Sequence, residues 1–199
     1  MKIYGDHRSG NCYKLELLCA LLDLDYEWQS VDIMRGDTRT PEFLARNPNA
    51  KVPLLELSDG RCLAESNAIL LFLAEGSRLV PTESFNRARM FQWLFFEQYS
   101  HEPYIAVARF IALYLGLPHE RQAEYQNKQA GGYKALDVME TQLQDSPYMV
   151  ADGPSLADIA LYAYTHVAAD GGFELTGYPA ITAWLRRIES LPGYRPMQS

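Results

Sequence analysis

The first third of the chain alternates short runs of strand-forming residues with stretches of helical period. Lys2 to Tyr4 is a brief strand candidate. From Cys12 onward, Leu15, Leu18, Cys19 and Leu22 fall at i, i+3, i+4 and i+7, which predicts a helix with one apolar face. Tyr26 to Val31 is rich in strand formers and begins a second extended segment. Val52 to Leu57 and Arg61 to Ala64 predict two more strands, joined through Ser58-Asp59-Gly60. An Asp-Gly pair is a strong hairpin signal, because both positions of the tight turn need positive φ. A helix is expected from Ser66 to about Glu75. The order β-α-β-(loop or short helix)-β-β-α makes a small mixed sheet with helices packed on it.

The pattern changes at Gly76 to Asn86, where Ser77, Pro81, Thr82 and Ser84 mark a linker of low apolar content. Beyond it only helical periodicity persists. Phe85 to Leu115 reads as one long helical stretch, bent where Pro103 removes a backbone donor. Further helices are expected over Arg121 to Leu143, Ser155 to Ala169 and Pro179 to Ser190. The expected organisation is an α/β domain over residues 1–76, a linker over 77–86 and an all-α domain over 87–199. There is no internal repeat and no low-complexity tract.

Composition narrows the function classes. The 199 residues are 48% hydrophobic and 22% charged, a balance that builds cores rather than a disordered chain. A formal charge of −7 argues against a nucleic-acid partner, since phosphate binding needs clustered Lys and Arg. The first residues, Met1-Lys2-Ile3-Tyr4-Gly5-Asp6, meet a charge too early for a secretory leader. No apolar run approaches the roughly 18 residues that cross a bilayer. Cys12, Cys19 and Cys62 are too sparse, and odd in number, for a disulfide framework. A soluble cytoplasmic protein without a membrane partner is therefore expected.

Three short motifs can carry chemistry. Ser9-Gly10-Asn11-Cys12 lies between the first strand and the first helix, where free backbone N–H groups and the helix dipole favour a negative group. A thiol of pKa about 8.5 brought there by a ligand needs roughly 2.7 kcal/mol to titrate two units lower. A hydroxyl donor and a helix terminus are of the right size to supply it. A dithiol oxidoreductase requires Cys-x-x-Cys at this point, and the chain has Ser-x-x-Cys. The plainer alternative is that Ser9 caps the helix and Cys12 packs beneath it.

Val52-Pro53 places a residue without an N–H at a strand start or edge, where the Val52 backbone can pair with an extended ligand. X–Pro bonds also admit the cis form. An ordinary edge proline accounts for the dipeptide equally well. Glu65-Ser66 stands where a strand hands over to a helix, with Ser66 as the natural N-cap. Donors for a carboxylate beside an acidic group for an ammonium suit an α-amino acid head group; capping alone is the alternative. Ser155-Leu156-Ala157-Asp158 is a capping box and is read as structural. His7, His101, His119 and His166 are scattered without ligand spacing, so no metal is expected.

Taken together these segments resemble the cytosolic glutathione transferase family over essentially the whole chain. Asn47-Pro48-Asn49-Ala50-Lys51-Val52-Pro53-Leu54-Leu55 is similar to the segment before the family's cis-proline. Ala64-Glu65-Ser66-Asn67-Ala68-Ile69 resembles its Glu-Ser-x-Ala-Ile signature, and Ser155 to Ala160 resembles its helical capping box. The resemblance implies a thioredoxin-like N-terminal domain that binds glutathione, and an all-α C-terminal domain that holds an electrophilic co-substrate.

It also implies roles. Ser9 resembles the hydroxyl donor to the glutathione sulfur in serine-type members. Bacterial members differ in this loop, so Asn11 is a second donor or the main one. Val52 would pair with the cysteinyl backbone and Pro53 would be the cis-proline. Glu65 and Ser66 would hold the γ-glutamyl end, and Lys51 and Arg39 would reach the glycyl carboxylate. Tyr99, Tyr104, Arg109 and Phe110 are candidate walls for the second substrate, expected between the domains, although aromatics at helical spacing also serve as core. A homodimer is implied. The leading expectation is conjugation of glutathione to a small electrophile. A glutathione-dependent reductase of disulfides or peroxides, or a non-catalytic binding protein with this fold, are the alternatives.

Overall fold

The computed structural model describes residues 1–151 and 153–198; Asp152 and Ser199, the latter the last residue of the expected second domain, lie outside the described residues. The chain divides into two compact units. One comprises Met1–Ser77 with the tail from Leu191 onward, and the other comprises Arg78–Ser190. The tail thus lies with the first unit rather than with the helical one. Its anchors are specific: the Tyr13 hydroxyl donates to the Arg195 carbonyl at 2.7 Å. Gly193, at φ +87°, comes so near α1 that a Cβ there would sit 2.7 Å from the Ala20 carbonyl oxygen.

The first unit is built on a four-stranded sheet in the order β2-β1-β3-β4. β1 (Lys2–Gly5) runs parallel to β2 (Glu27–Ser30), pairing Ile3 with Trp28. It runs antiparallel to β3 (Leu54–Glu56), pairing Ile3 with Leu55, and β3 pairs antiparallel with β4 (Cys62–Ala64). The parallel step is made possible by the crossover helix α1 (Gly10–Leu22). Leu54 and Leu55 are fully buried; Leu54 packs with Val31 and Phe43, the latter from α2 (Pro41–Arg46).

Local chemistry sets the boundaries. β3 is shorter than its apolar run because Pro53 cannot enter the ladder, so pairing starts at Leu54. The hairpin also differs from the two-residue turn that Asp-Gly suggests. Leu57 N–H donates to Arg61 and Gly60 N–H to Leu57, which makes a three-residue loop with Gly60 at φ +84°. Only the glycine takes the left-handed region there, as in a turn followed by a bulge. α1 is buried nearly all round, Lys14 and Glu16 included, and so exceeds the single apolar face that its periodicity implies.

The second unit is helical. α4 (Ser84–Phe96) runs through a π-helical turn at Glu97–His101 into α5 (Glu102–Arg109), with a further π turn at Phe110–Tyr114. The expected bend at Pro103 takes the form of that first π turn: the Glu102 N–H reaches back five residues to the Glu97 carbonyl. α6 (Gln122–Asp145), α7 (Leu156–Thr165) and α8 (Pro179–Glu189) follow. α7 stops at Thr165, and Ala168–Gly171 is a separate 3-10 turn rather than its continuation.

Asp158, fully buried, closes the capping box on the Ser155 N–H at 2.8 Å. It also accepts from the Met149 N–H and from Trp184 Nε1, both at 2.9 Å. Glu140 of α6 caps α8 by accepting from the Ala180 and Ile181 N–H groups, each at 2.9 Å. No described helix is long and apolar enough to cross a membrane.

Candidate functional site

Two helix starts and one loop of the first unit assemble the candidate site. Ser9 precedes α1 in extended conformation and its side chain makes no capping bond. Instead, its side chain hydrogen-bonds to Cys12. Cys12 is fully buried, and burial pushes its thiol up to about 12 despite the Ser9 bond that pulls it down. Burial likewise pushes Cys19 to about 12. These thiols stay protonated near neutral pH, and all three cysteines are free.

Asn11, in the first turn of α1, meets the first turn of α3 (Ser66–Leu73). The Ser66 hydroxyl donates to Asn11 Oδ1 at 3.1 Å. Ser66 is the first helical residue, and the N-cap position belongs to Glu65. The expected capping serine is therefore one position further in, with its hydroxyl available for tertiary bonding. Ser66 is buried; Glu65 is exposed. Glu65 takes φ +69°, ψ +111°, a conformation costly for a side chain with a Cβ, by about 1–3 kcal/mol. Its carboxylate accepts from Asn49 Nδ2 at 3.5 Å, a long contact.

The loop before β3 is braced by Asn47, which is buried. Its Nδ2 donates to the Lys51 carbonyl at 2.8 Å, while its Oδ1 accepts from the Asn49 N–H at 3.1 Å. This bracket holds the chain into Val52–Pro53, whose peptide bond is cis. Lys51 is exposed, as is Arg39 on the 3-10 turn Asp37–Arg39. Neither is drawn into the Asn11–Ser66 group by a hydrogen bond or ion pair among those described.

The four candidate walls in the second unit have distinct surroundings. Tyr99 stands 86% exposed. Tyr104 packs its ring over Gly131 and lies 5.6 Å from Lys128 Nζ. Arg109 is buried in an ion pair with Asp170 at 2.9 Å, and Phe110 stacks on Tyr114 at 5.1 Å. Each has a packing or pairing partner of its own except Tyr99, whose exposure leaves it on the surface of its unit.

Lys14 is the residue that sequence reasoning missed. It is fully buried, and its Nζ donates to Ser66 Oγ at 3.2 Å and to Asn67 Oδ1 at 3.3 Å. The available signal was a lysine set among Cys12, Tyr13, Leu15 and Leu17. The apolar face of Leu15, Leu18, Cys19 and Leu22 does not include it, and it is the bond to α3 that gives it a buried place. Among the described residues no group of three or more His, Cys, Asp or Glu could hold a metal.

The arrangement gathers hydrogen-bonding groups at two helix starts, a kind of place that can receive an anion. Donors at the start of α3 meet a loop that opens α1, beside a strand whose entry is fixed by a cis X–Pro bond. The family model described as glutathione S-transferase, N-terminal domain, matches residues 8–75, and the one described as glutathione S-transferase, C-terminal domain, matches residues 94–192. A crystal structure of a glutathione S-transferase from Pseudomonas fluorescens Pf-5 is 63% identical and aligns over 100% of this chain and 98% of its own, with a TM-score of 0.98. The disulfide-bond oxidoreductase YfcG of Escherichia coli K12 is 31% identical over 189 residues, 92% of this chain and 87% of that protein. A maleylacetoacetate isomerase from Methylobacterium extorquens AM1, solved with malonate and GSH bound, is 28% identical over 97% of this chain and 94% of its own, with a TM-score of 0.82. With matches running through both the sheet unit and the helical unit, the chain belongs to the glutathione S-transferase family.

Proposed function

We propose that the protein is a glutathione transferase that activates the thiol of glutathione for attack on a small electrophile. The observation that carries this reading is the Ser66–Asn11 hydrogen bond beside the cis Val52–Pro53 bond. The tripeptide would lie extended, with its cysteinyl backbone on Val52 and its γ-glutamyl end at Glu65 and Ser66. Its glycyl carboxylate would lie within reach of Lys51 and Arg39. Both of these are exposed and long enough to swing, so they bind as a mobile positive rim.

Asn11 is the main thiolate donor in this reading and Ser9 the secondary one, because the Ser9 side chain is already engaged with Cys12. The protein supplies orientation and charge stabilisation, and the attacking sulfur comes from glutathione. Tyr99, exposed at the π turn, is the favoured contact for the second substrate; Tyr104, Arg109 and Phe110 support the helices around it. The protein acts as a homodimer in the cytoplasm, a reading supported by family membership and by the exposed aromatics Phe85 and Phe95 on α4.

The name of the Escherichia coli relative favours a second reading, reduction of disulfides. In it the glutathione thiolate attacks one sulfur of a disulfide and expels the other as a thiolate. A second glutathione thiolate then attacks the glutathione sulfur of the mixed disulfide and expels the remaining substrate sulfur as a second thiolate, and the two glutathiones leave joined as oxidised glutathione. The buried cysteines are unsuited to take part, since both Cys12 and Cys19 are pushed up to about 12.

Calorimetry with reduced glutathione tests the shared site, with micromolar-to-millimolar binding expected. Turnover of a chloronitrobenzene against a mixed disulfide then separates the two reactions. No glutathione binding would overturn both.

A further inference from the structure

We infer that Glu16 is a positioning residue for thiol activation: through His7 it holds the loop that leads into Ser9 and Asn11. The inference rests on the glutathione reading above and adds a residue to that site.

Four residues, Asp6 to Ser9, join β1 to α1. Asp6 sets the shape of this loop: its carboxylate accepts from the Arg8 N–H and its carbonyl from the Ser9 N–H, each at 2.9 Å. Both bonds lie within the loop, so they do not fix its attitude to the rest of the unit. His7 supplies a hold from outside. Its ring stacks on Trp28 of β2, with centroids 4.2 Å apart and planes 16° apart. Its Nδ1 lies 3.2 Å from each oxygen of Glu16, in the second turn of α1. The Trp28 ring is itself confined, since a Cβ at Gly5 would come within 2.6 Å of it. A carboxylate only accepts, so Nδ1 carries the proton and donates into the fork of the two oxygens. One face of the ring is thus held by a stack and one edge by a directional bond, just before Ser9 in the chain.

Packing does not hold His7 by itself. Its side chain is 33% exposed and lines a cleft of about 740 Å³ together with Glu16, Tyr26, Trp28 and Arg195. That open flank gives the ring room to swing once the bond to Glu16 is gone. The Glu16 side chain, by contrast, is only 3% exposed. Burying a carboxylate is costly unless bonds offset it. Burial pushes the Glu16 pKa up, while the His7 bond, the His7 charge and the Arg195 charge pull it down. Arg195 is kept in place by the bond from the Tyr13 hydroxyl to its carbonyl. The partner of this carboxylate at 3.2 Å is a loop residue, so what the bond fixes is the loop.

The sign of the effect separates this role from a direct one. A carboxylate acting on the sulfur through its field disfavours the thiolate, so removing it would lower the thiol pKa. Acting through His7, it keeps the donors at Ser9 and Asn11 aimed at the sulfur, and removing it raises the thiol pKa.

The test titrates the thiol of bound glutathione by ultraviolet absorbance, on the wild type, Glu16→Met, Glu16→Gln, His7→Phe and the Glu16→Met/His7→Phe double variant. Binding of S-methylglutathione is followed in parallel by calorimetry. Glu16→Met and His7→Phe should each raise the thiol pKa by about one unit, a tenfold loss of thiolate relative to thiol. Glu16→Gln keeps one acceptor oxygen for the His7 N–H and should restore part of the difference. The double variant should match either single one, because both cut the same link. S-methylglutathione has no thiol to activate, and its binding should stay nearly constant throughout. Should Glu16→Met fail to fold, His7→Phe keeps the ring on Trp28 at a partly exposed position and carries the same prediction.

A merely structural Glu16 would lower stability in urea and leave the thiol pKa where it is, so an unchanged pKa in the folded variants overturns the inference. A lowered pKa overturns it in favour of the direct field, and additive shifts in the double variant overturn the relay through His7. A wild-type bound thiol that titrates like free glutathione also overturns it, while leaving glutathione binding intact. No binding of glutathione by wild type sinks the glutathione reading, and the inference with it.

Discussion

The Ser66 hydroxyl donates to Asn11 Oδ1 at 3.1 Å, and this single bond ties the first turn of α3 to the first turn of α1. Residues 55 positions apart are thereby made neighbours, one at the expected glutamyl end of the tripeptide and one at its expected sulfur. Ser66→Ala removes the hydroxyl and leaves the Asn11 oxygen and the Lys14 amino group without that partner. It should weaken glutathione binding by about 1–3 kcal/mol. Asn11→Ala should chiefly raise the pKa of the bound thiol, read by ultraviolet thiolate absorbance. The double variant should fall short of the sum of the two losses, since both break one bond. Strict additivity in calorimetry would mean that the contact carries no weight in binding.

Glu65 sits at φ +69°, ψ +111°, and glycine tolerates that region far better than a residue with a Cβ. Glu65→Gly relieves the strain and removes the carboxylate at once. Stability should stay level or rise by up to about 1 kcal/mol, although glycine at an ordinary helix position would cost about that amount. Glutathione binding should weaken at least tenfold, about 1.4 kcal/mol. A variant that loses both stability and binding would show Glu65 to be a structural cap with no stored strain.

What the sequence made legible was whatever local chemistry decides. Pro53 lacks an N–H and so had to lie outside the ladder; Ser155 and Asp158 stand three apart before an apolar run and cap α7. The Ser9–Cys12 loop was found because a strand followed by a helix start is visible in periodicity. Tertiary decisions were hidden. Lys14 lies outside the apolar face of Leu15, Leu18, Cys19 and Leu22, and its partner on α3 stands 52 residues later. Glu140 caps α8 from α6 across 40 residues, with no sequence signal at Pro179 to announce it. The tail from Leu191 was assigned to the helical domain by continuity, whereas the Tyr13 hydroxyl and the gap left by Gly193 draw it to α1.

Asp158 concentrates four hydrogen bonds on one buried carboxylate: two from Ser155, one from the Met149 N–H and one from Trp184 Nε1. Burial pushes its pKa up, and the hydrogen bonds pull it back down. Asp158→Ala strands all four donors in an apolar interior. Urea unfolding should show a loss of roughly 3–5 kcal/mol. Asp158→Asn retains one acceptor oxygen and should lose less, with its amide hydrogens set against remaining donors. A loss below about 1 kcal/mol for the alanine variant would show that the donors find other acceptors and that the cap is dispensable.

His166 gives the second unit a pH dependence in a defined window. Its ring stacks on Tyr162 at 4.6 Å, and Nδ1 lies 2.8 Å from the Tyr162 carbonyl, which it meets as the N–H donor. Burial lowers its pKa from 6.5 to about 4; nearby Arg109 lowers it further, while the Tyr162 carbonyl and Asp170 pull the other way. Between these values the unfolded chain takes up a proton that the folded chain refuses. The contribution to stability is therefore complete above pH 6.5 and lost as pH falls through about 4, to a limit near 3 kcal/mol. His166→Phe keeps the stacked ring and removes the proton site. Urea unfolding at pH 7.5 and pH 5 should show the wild type losing clearly more stability between the two than the variant does. Equal losses would mean that His166 titrates alike in both states, and the acid sensitivity would then have to come from other groups.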